Sequence, residues 1–444
     1  MLITRIRHVL STLRRDFDTA REPSSELERS ERNIRVNIYH GIVSIMSLNL
    51  AAPFMGIFAV RMGASDFQVG LLSSGPALVS LLSMIPGGRL VDRHPAKKRL
   101  LIKLVLAQRF FYLLLSTIPF FVPDRRAWML VFCVALMNMP ASIANIGWQA
   151  FISGLIPASR RADAFATRNR LMNLTGTVVV LLVGRTIDIA GFPLGYQLAF
   201  GAAFLMAIAE VWVFNKLDDS QMRPREQVSS AGQMRPQQRA SNLKEVLSHK
   251  PFVRYTLVSI AFYLCWQIPW PLFTLYQVRV LGANNLWVSL LNLANTGGSL
   301  VGYGFWARQM NRHGSMRTLF LSSLGIFIVP MVYAFSNSLA TITLFNLMTG
   351  AIFSGVNLAL FNALLEVTPD GQKATYIAYY TTAVNSAAIA APLIGVGLLN
   401  VYGYFWAFLI AAALRLGGSL LFLMVSSIEQ RESTMSQAPT HTQQ

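Results

Sequence analysis

GGRLVDRHPAKKRLLI, residues 87–102, places five lysines and arginines around a single aspartate. It separates two long apolar runs, 67–86 and 101–122. A hydrocarbon core about 30 Å thick is crossed by roughly 20 apolar residues in a helix, so both runs read as membrane spans. Extending outward gives twelve: 38–60, 67–86, 101–122, 127–149, 171–190, 194–215, 252–275, 286–306, 318–337, 339–365, 375–399 and 404–427. Composition agrees, with 53% hydrophobic residues, 13% charged residues and a mean hydropathy of +0.45. A soluble domain carries roughly a quarter of its residues charged. The spans read as helices, because lipid offers no partner for unpaired backbone groups. Barrel strands would alternate over about ten residues, and these runs do not.

The net charge of +18 is explained by where the charges lie. Of 38 lysines and arginines, only Arg61, Arg125, Arg126 and Arg279 fall in one set of loops, and Arg109, Arg185 and Arg415 lie within spans. The rest collect on the side of the two ends. This is the positive-inside bias. It predicts a multi-pass protein of the cell (inner) membrane with both termini cytoplasmic, its surroundings the lipid bilayer and not a nucleic acid. Cys133 and Cys265 both fall in spans, which suits apolar packing and not a disulfide framework. The N-terminus lacks the compact apolar core of a cleavable signal. Leu2, Ile3, Ile6, Val9, Leu10, Leu13 and Phe17 recur at helical spacing among arginines, the pattern of an amphipathic helix on a membrane surface; a partly ordered tail is the alternative.

The chain repeats itself. PFMGIFAVRMGASDFQVGLL (53–72) matches PLFTLYQVRVLGANNLWVSLL (271–291) at an offset of 218 to 219. Val-Asp-Arg-His (91–94) then meets Met-Asn-Arg-His (310–313). Asn145 meets Asn357, Pro157 meets Pro369 and Asn173 meets Asn385 at 212, and 195–200 meets 403–408 at 208. An ordered set with a slowly drifting offset signals duplication. The expected organisation is a cytoplasmic segment 1–37, a six-helix half 38–215, a linker 216–250 rich in Gln, Ser, Pro and charge, a second six-helix half 251–427 and a cytoplasmic tail 428–444. A short surface helix is expected over 241–249.

Two tandem six-helix halves are the plan of the major facilitator superfamily, and the stretch after span 2 resembles its signature, Gly-x-x-x-Asp-Arg-x-Gly-Arg-Arg. Gly88, Asp92, Arg93 and Lys97 match, while Pro95 and Ala96 depart from the pattern. The second-half copy keeps Arg312 and replaces the acid with Asn311. The fold class expected from the resemblance is an all-α polytopic membrane protein of twelve transmembrane helices in two pseudo-symmetric halves. The resemblance also implies that Asp92 and Arg93 join a charge network latching the halves, with the carboxylate near the start of span 11 at Thr375. Lys97, Lys98 and Arg99 read as orienting charges. Arg168 or Arg170, in the stretch after span 4, belongs to the same network or to a solvated basic loop.

The resemblance places spans 1, 4, 7 and 10 around a central cavity, with substrate near mid-depth. Asn49 and Gln267 lie there, 218 apart, as pseudo-symmetric amides able to bond one ligand. CWQIPWPLF (265–273) puts Trp266 and Trp270 one turn apart, with Pro269 and Pro271 breaking the ladder. That suits a gate or binding wall; an interfacial aromatic belt is the alternative. Asn145 and Asn357 are further candidates, Asn138, Asn292 and Asn295 weaker ones, and amides bridging helices are common.

Proton coupling needs a titratable group within the membrane, and spans 1, 4, 7 and 10 hold no acid at mid-depth. His40 and Glu366 lie at span edges. Arg185 and Asp188 are spaced i,i+3 for a structural ion pair. Glu210, Arg109 and Arg415 lie deeper, in spans that are peripheral in the superfamily, and are expected to pair locally or snorkel. An Arg-x-x-x-Gly in span 4 and a Gly-Pro-x-x-Gly-Gly in span 5, marks of many proton-coupled relatives, are absent. The leading expectation is a monomeric transporter, secondary active or facilitative, moving a small, largely uncharged or amphipathic solute by alternating access without a cofactor or metal. A non-transporting sensor or assembly protein on the same scaffold is the alternative. No nucleotide loop, HExxH or spaced metal ligands point to an enzyme.

Overall fold

The computed structural model describes residues 26–94, 96–220, 243–369 and 373–436. The amphipathic stretch 2–17 and most of the expected linker, 221–242, lie outside the described residues, as does the end of the tail. Every regular element among them is helical. α1 (Glu26–Asn49) continues through a 3-10 turn, Ala52–Phe54, into Met55–Arg61. α2 (Asp66–Arg93), α3 (Lys97–Thr117), α4 (Pro123–Leu155), α5 (Ala158–Ala190) and α6 (Leu194–Phe214) follow. The expected short helix appears as Leu243–Ser248. α7 (Lys250–Gln267) is continued by Trp270–Leu275 and a π turn, Tyr276–Val280. α8 (Asn285–His313) leads to α9 (Ser315–Leu324), which runs through a 3-10 turn into Ile328–Phe335, and α10 is Leu339–Glu366. A last run, Lys373–Ser436, divides at Gly403 into α11 (373–402) and α12 (404–436).

Local chemistry explains the ends. Pro123 and Pro251 occupy first-turn positions where a missing N–H is harmless. The Asn284 side chain accepts from the Trp287 amide at 3.0 Å at the start of α8. Gly403 adopts φ 72°, ψ 175°, a conformation open chiefly to glycine. An unbroken helix over Tyr376–Leu423, 48 residues, would be about 72 Å long, more than twice the hydrocarbon thickness. The turn at Gly403 folds it into two crossings.

Ten segments among the described residues are long and apolar enough to cross a membrane. The bent run supplies two crossings, and the 29-residue α8, too polar to qualify by hydropathy, has the length of one. The architecture agrees with the twelve expected spans. Three helices outrun their apolar stretches: α1 begins at Glu26, α2 reaches Arg93 and α5 begins at Ala158. The connections at 87–93 and 158–170 are therefore helical, and the next helix after Arg93 begins at Lys97. Hydropathy marks where lipid ends, whereas a charged helix of good formers runs on into water.

The described residues form two compact units, one up to Met62 and from Leu82 to 220, the other Gly63–Leu81 with everything from 243 onward. α2 is divided between them. In the first unit Ile34, Val36, Phe151, Ile152, Val213 and Phe214 pack together. In the second, Tyr255, Phe262, Trp266, Val356, Leu360 and Phe422 belong to one core cluster.

Candidate functional site

The second unit is organised around the break in α7. Pro269 and Pro271 lack the N–H groups that the carbonyls four residues earlier would take, and the helix is interrupted between Gln267 and Trp270. Gln267 and Trp266 are buried, each 6% exposed, while Trp270 is 43% exposed. The two indoles meet edge to face with centroids 6.1 Å apart. Tyr263 and Phe353 lie 5.5 and 5.4 Å from the Trp266 ring. The Trp266 Nε1 is buried without a protein hydrogen-bond partner, a costly state for a donor.

The opened turn has a cation beside it. Arg415 on α12 is fully buried. Its Nε and Nη2 donate to the Trp266 carbonyl at 3.2 and 2.5 Å, and its Nη1 to the Ile326 carbonyl at 3.2 Å. Pro330, four residues after Ile326, has no N–H to offer that carbonyl. The guanidinium also lies over Phe273, 5.5 Å from its centroid. Arg415 was expected to pair locally or snorkel; it is enclosed instead, and among the described residues it has no acidic partner. It hydrogen-bonds backbone carbonyls at two proline-bearing helix interruptions.

The first unit holds a different arrangement. Arg109 on α3 and Glu210 on α6 are 3% and 2% exposed, with Nη2–Oε2 at 3.2 Å and Nε donating to Oε2 at 3.3 Å. Arg109 also donates to the Tyr112 hydroxyl at 3.1 Å and the Ser44 hydroxyl at 3.4 Å. The two residues pair locally, but Arg109 is enclosed and does not snorkel. His40 on α1 places Nε2 3.6 Å from Glu210 Oε1 and meets the Phe214 ring at a tilt, with centroids 5.1 Å apart. Its Nδ1 has no protein partner, and neither amide atom of Asn37 has one. Arg168 on α5 donates to the Asn37 carbonyl at 3.3 Å and lies over Trp148, 4.4 Å from the centroid. Gly41 makes that crossing possible: a Cβ there would stand 2.6 Å from the Arg168 Nε.

Toward the end of the bundle carrying residues 26–33, Asp218 pairs with Arg29 at 3.0 Å, and Asn33 exchanges two bonds with its backbone. Lys98 donates to the Leu217 carbonyl at 2.6 Å, so it holds the end of α6 as well as carrying charge. Arg160 pairs with Glu31 at 2.8 Å. Gly88 is half-buried on α2, and Arg93 and Arg312 are exposed. The side chains of Asp92 and Thr375 lie outside the described set. In the second unit Arg279 bonds the Asp66 carboxylate and the Ala64 carbonyl, a pairing the sequence reading passed over. Asn49 is half-buried, with its Nδ2 2.6 Å from where a Cβ on Gly176 would stand. Asn145 is exposed and accepts from Gln149 at 3.5 Å, and Asn357 is exposed. Arg185 is exposed and Asp188 half-buried on α5.

A family model described as Major Facilitator Superfamily matches residues 41–302 and 256–441. The chain belongs to that superfamily. Among curated relatives, the multi-drug resistance efflux pump PmrA of Streptococcus pneumoniae serotype 4 is 24% identical over 413 residues, covering 88% of this chain and 95% of the pump. A mutant of the nucleoside transporter NupG superposes with a TM-score of 0.69 at 10% identity, covering 88% of this chain and 99% of that one. A mutant of the peptide transporter POT in complex with alafosfalin gives 0.66 at 15%, covering 89% and 94%. These likenesses show the superfamily fold. The protein is a multi-pass transmembrane transporter, and no finding favours the sensor alternative.

The sequence reading of this superfamily member missed one pattern. Asn33, Asn37, His40, Ser44 and Ser47 recur at spacings of four, three, four and three, and all are buried. Asn33 and Asn37 precede the expected first span and His40 lies at its edge; the helical period is what marks a polar stripe facing inward.

Proposed function

We propose that this transporter moves small, largely uncharged or amphipathic solutes by alternating access, and that the break in α7 forms part of the wall they touch. The observation carrying the reading is the aromatic group Tyr263, Trp266, Trp270 and Phe353 around a proline-opened turn. It combines a partly exposed indole with a buried, unpartnered Trp266 N–H beside Gln267. Apolar walls with a few fixed polar groups suit ligands with an apolar body and one acceptor. Asn49 is the pseudo-symmetric mate and is assigned a ligand amide; Asn145 and Asn357 are assigned second-tier contacts. Asp92, Arg93, Arg168 and Arg312, with Gly88, are assigned to the latch. Arg185 and Asp188 are assigned to a structural pair. The efflux-pump relative supports export. The charge asymmetry supports the inner membrane with cytoplasmic ends, and the working unit is one chain with no chemical step.

A thermal-shift screen of the detergent-purified protein tests this with sugars, amino acids, nucleosides, siderophores and hydrophobic drugs. A ligand at a hundred times its dissociation constant adds about 2.7 kcal/mol. Amphipathic drugs are expected to raise the melting temperature of the parent chain, and Trp270→Ala, Gln267→Ala and Asn49→Ala to reduce that rise without lowering the ligand-free value by a comparable amount. A response confined to sugars, or one untouched by all three substitutions, refutes the assignment.

A further inference from the structure

We propose that His40 is the residue on which this transporter takes up a proton, and that the proton and the Arg168 guanidinium hold the site alternately. The proposal deepens the transport reading and rests on it. Among the described residues, the charged and titratable groups facing His40 come from three helices. α6 brings Glu210, α3 brings Arg109 and Tyr112, and α5 brings Arg168, while Phe214 covers the ring. With two guanidiniums and one carboxylate, this surrounding is already cationic by one charge, so a third cation is disfavoured.

Glu210 balances Arg109, and the site holds one further cation beside that pair. Arg168 is positioned to be that cation and also to leave. It reaches in over Gly41, held by a 3.3 Å bond to a backbone carbonyl and by the Trp148 ring. When it withdraws, a proton on His40 replaces its charge. The imidazolium Nε2–H donates to Glu210 Oε1, and Arg109 keeps the other carboxylate oxygen. One cation is exchanged for another, so the buried site's total charge stays constant, which is what a low-dielectric interior requires. Arg168 sits near the start of α5, so its withdrawal ties proton uptake to movement of that helix.

The proton has a route. The buried stripe on α1 runs from Asn33, bonded to Asp218 at the bundle's end, through Asn37 to His40 and on to Ser44 and Ser47. The unpartnered Asn37 amide and His40 Nδ1 are polar atoms that water molecules would satisfy. The proton comes from water at that end and returns to water; no oxidant or co-reactant enters.

The test uses the full chain with 13C-labelled histidine in nanodiscs. Its six histidines give resolvable signals, and His40→Gln identifies the one belonging to His40. The pH midpoint of that signal is expected to rise by about one unit or more in Arg168→Gln and to stay near the parent value in Arg168→Lys, which keeps the cation. Midpoints equal in all three proteins overturn the proposal. A second arm measures ethidium flux in proteoliposomes with and without a pH gradient. The ratio of the two is expected to fall toward one in His40→Gln. A ratio that persists while the midpoint moves overturns the coupling, leaving a proton site that drives nothing. If the parent protein does not carry ethidium, the amphipathic arm of the substrate reading loses its support, and the histidine midpoints still decide the proton site.

Discussion

Each half of the protein encloses one arginine where its first, third and sixth spans meet, and the two halves partner it differently. In the first half Arg109 on α3 meets Glu210 on α6, with His40 and Ser44 of α1 beside them. In the second, Arg415 on α12 meets the carbonyls of Trp266 on α7 and Ile326 after α9. Pro330, and the break marked by Pro269 and Pro271, do for Arg415 what Glu210 does for Arg109. They provide backbone carbonyl oxygens, and a buried guanidinium needs such partners. The difference is in what can change. Backbone dipoles are fixed, so the second half's cluster is a structural staple. The His40 imidazole can take up and release a proton, so on the proposal above the first half's cluster responds to pH. Two descendants of one repeat thus hold a staple and a switch on corresponding spans.

The largest effect should come from Glu210→Ala, which leaves Arg109 buried without its counter-charge at a cost of about 3–5 kcal/mol. Thermal unfolding in detergent is expected to show a severe loss, and the double change Arg109→Met with Glu210→Leu to recover most of it. Arg415→Met should cost less, about 1–3 kcal/mol, because what it orphans is carbonyl dipoles and not a charge. Adding Pro330→Ala restores an N–H for the Ile326 carbonyl and is expected to return part of that loss. Equal losses in Glu210→Ala and Arg415→Met would break the distinction between the halves. Gly41→Ala comes next. Its Cβ would stand 2.6 Å from the Arg168 Nε and 2.9 Å from its Cγ, and overpacking of that kind costs about 1 kcal/mol or more. It should also move the His40 midpoint in the direction of Arg168→Gln, by less. A midpoint unchanged in Gly41→Ala, with Arg168 shown still in place, would leave the competition resting on Arg168→Gln alone.

Much of this was legible in the chain. Apolar runs gave the spans, the drifting repeat gave the halves, and the stretch after span 2 gave the superfamily. Helix ends were less legible, because α1, α2 and α5 run past the lipid on charged sequence that hydropathy scores as loop. The buried clusters were legible only in part. Arg109 and Glu210 are 101 residues apart, and no local pattern says that an acid in one span meets a base in another. Arg415 was harder still, since its partners are backbone atoms that no side chain announces. The stripe on α1 was within reach, because its spacing of four and three is a helical period. It went unnoticed because Asn33 and Asn37 precede the expected first span and His40 lies at its edge.

The smallest expected effect bears on the open end of the first half's cluster. Asp218 pairs with Arg29 at 3.0 Å and accepts the Ser220 amide at 3.0 Å. Partial burial pushes its carboxyl up, but the Ser220 bonds and the neighbouring Arg29 and Arg32 outweigh that and hold it below the usual carboxylate range. A carboxylate whose pKa is depressed by folding adds stability above its unfolded value, about 3.9, and loses that contribution as pH falls through the folded value. The pair is partly exposed, so its share is under about 1 kcal/mol. Asp218→Asn should therefore lower the melting temperature slightly at neutral pH and less as the pH drops below the carboxylate range. His40 and Glu210 are enclosed, so the same substitution should leave the direction of the Arg168→Gln shift intact. If Asp218→Asn instead abolished that shift, the proton route and the proton site would be one coupled unit, and the first half's switch would extend the whole length of the buried stripe on α1.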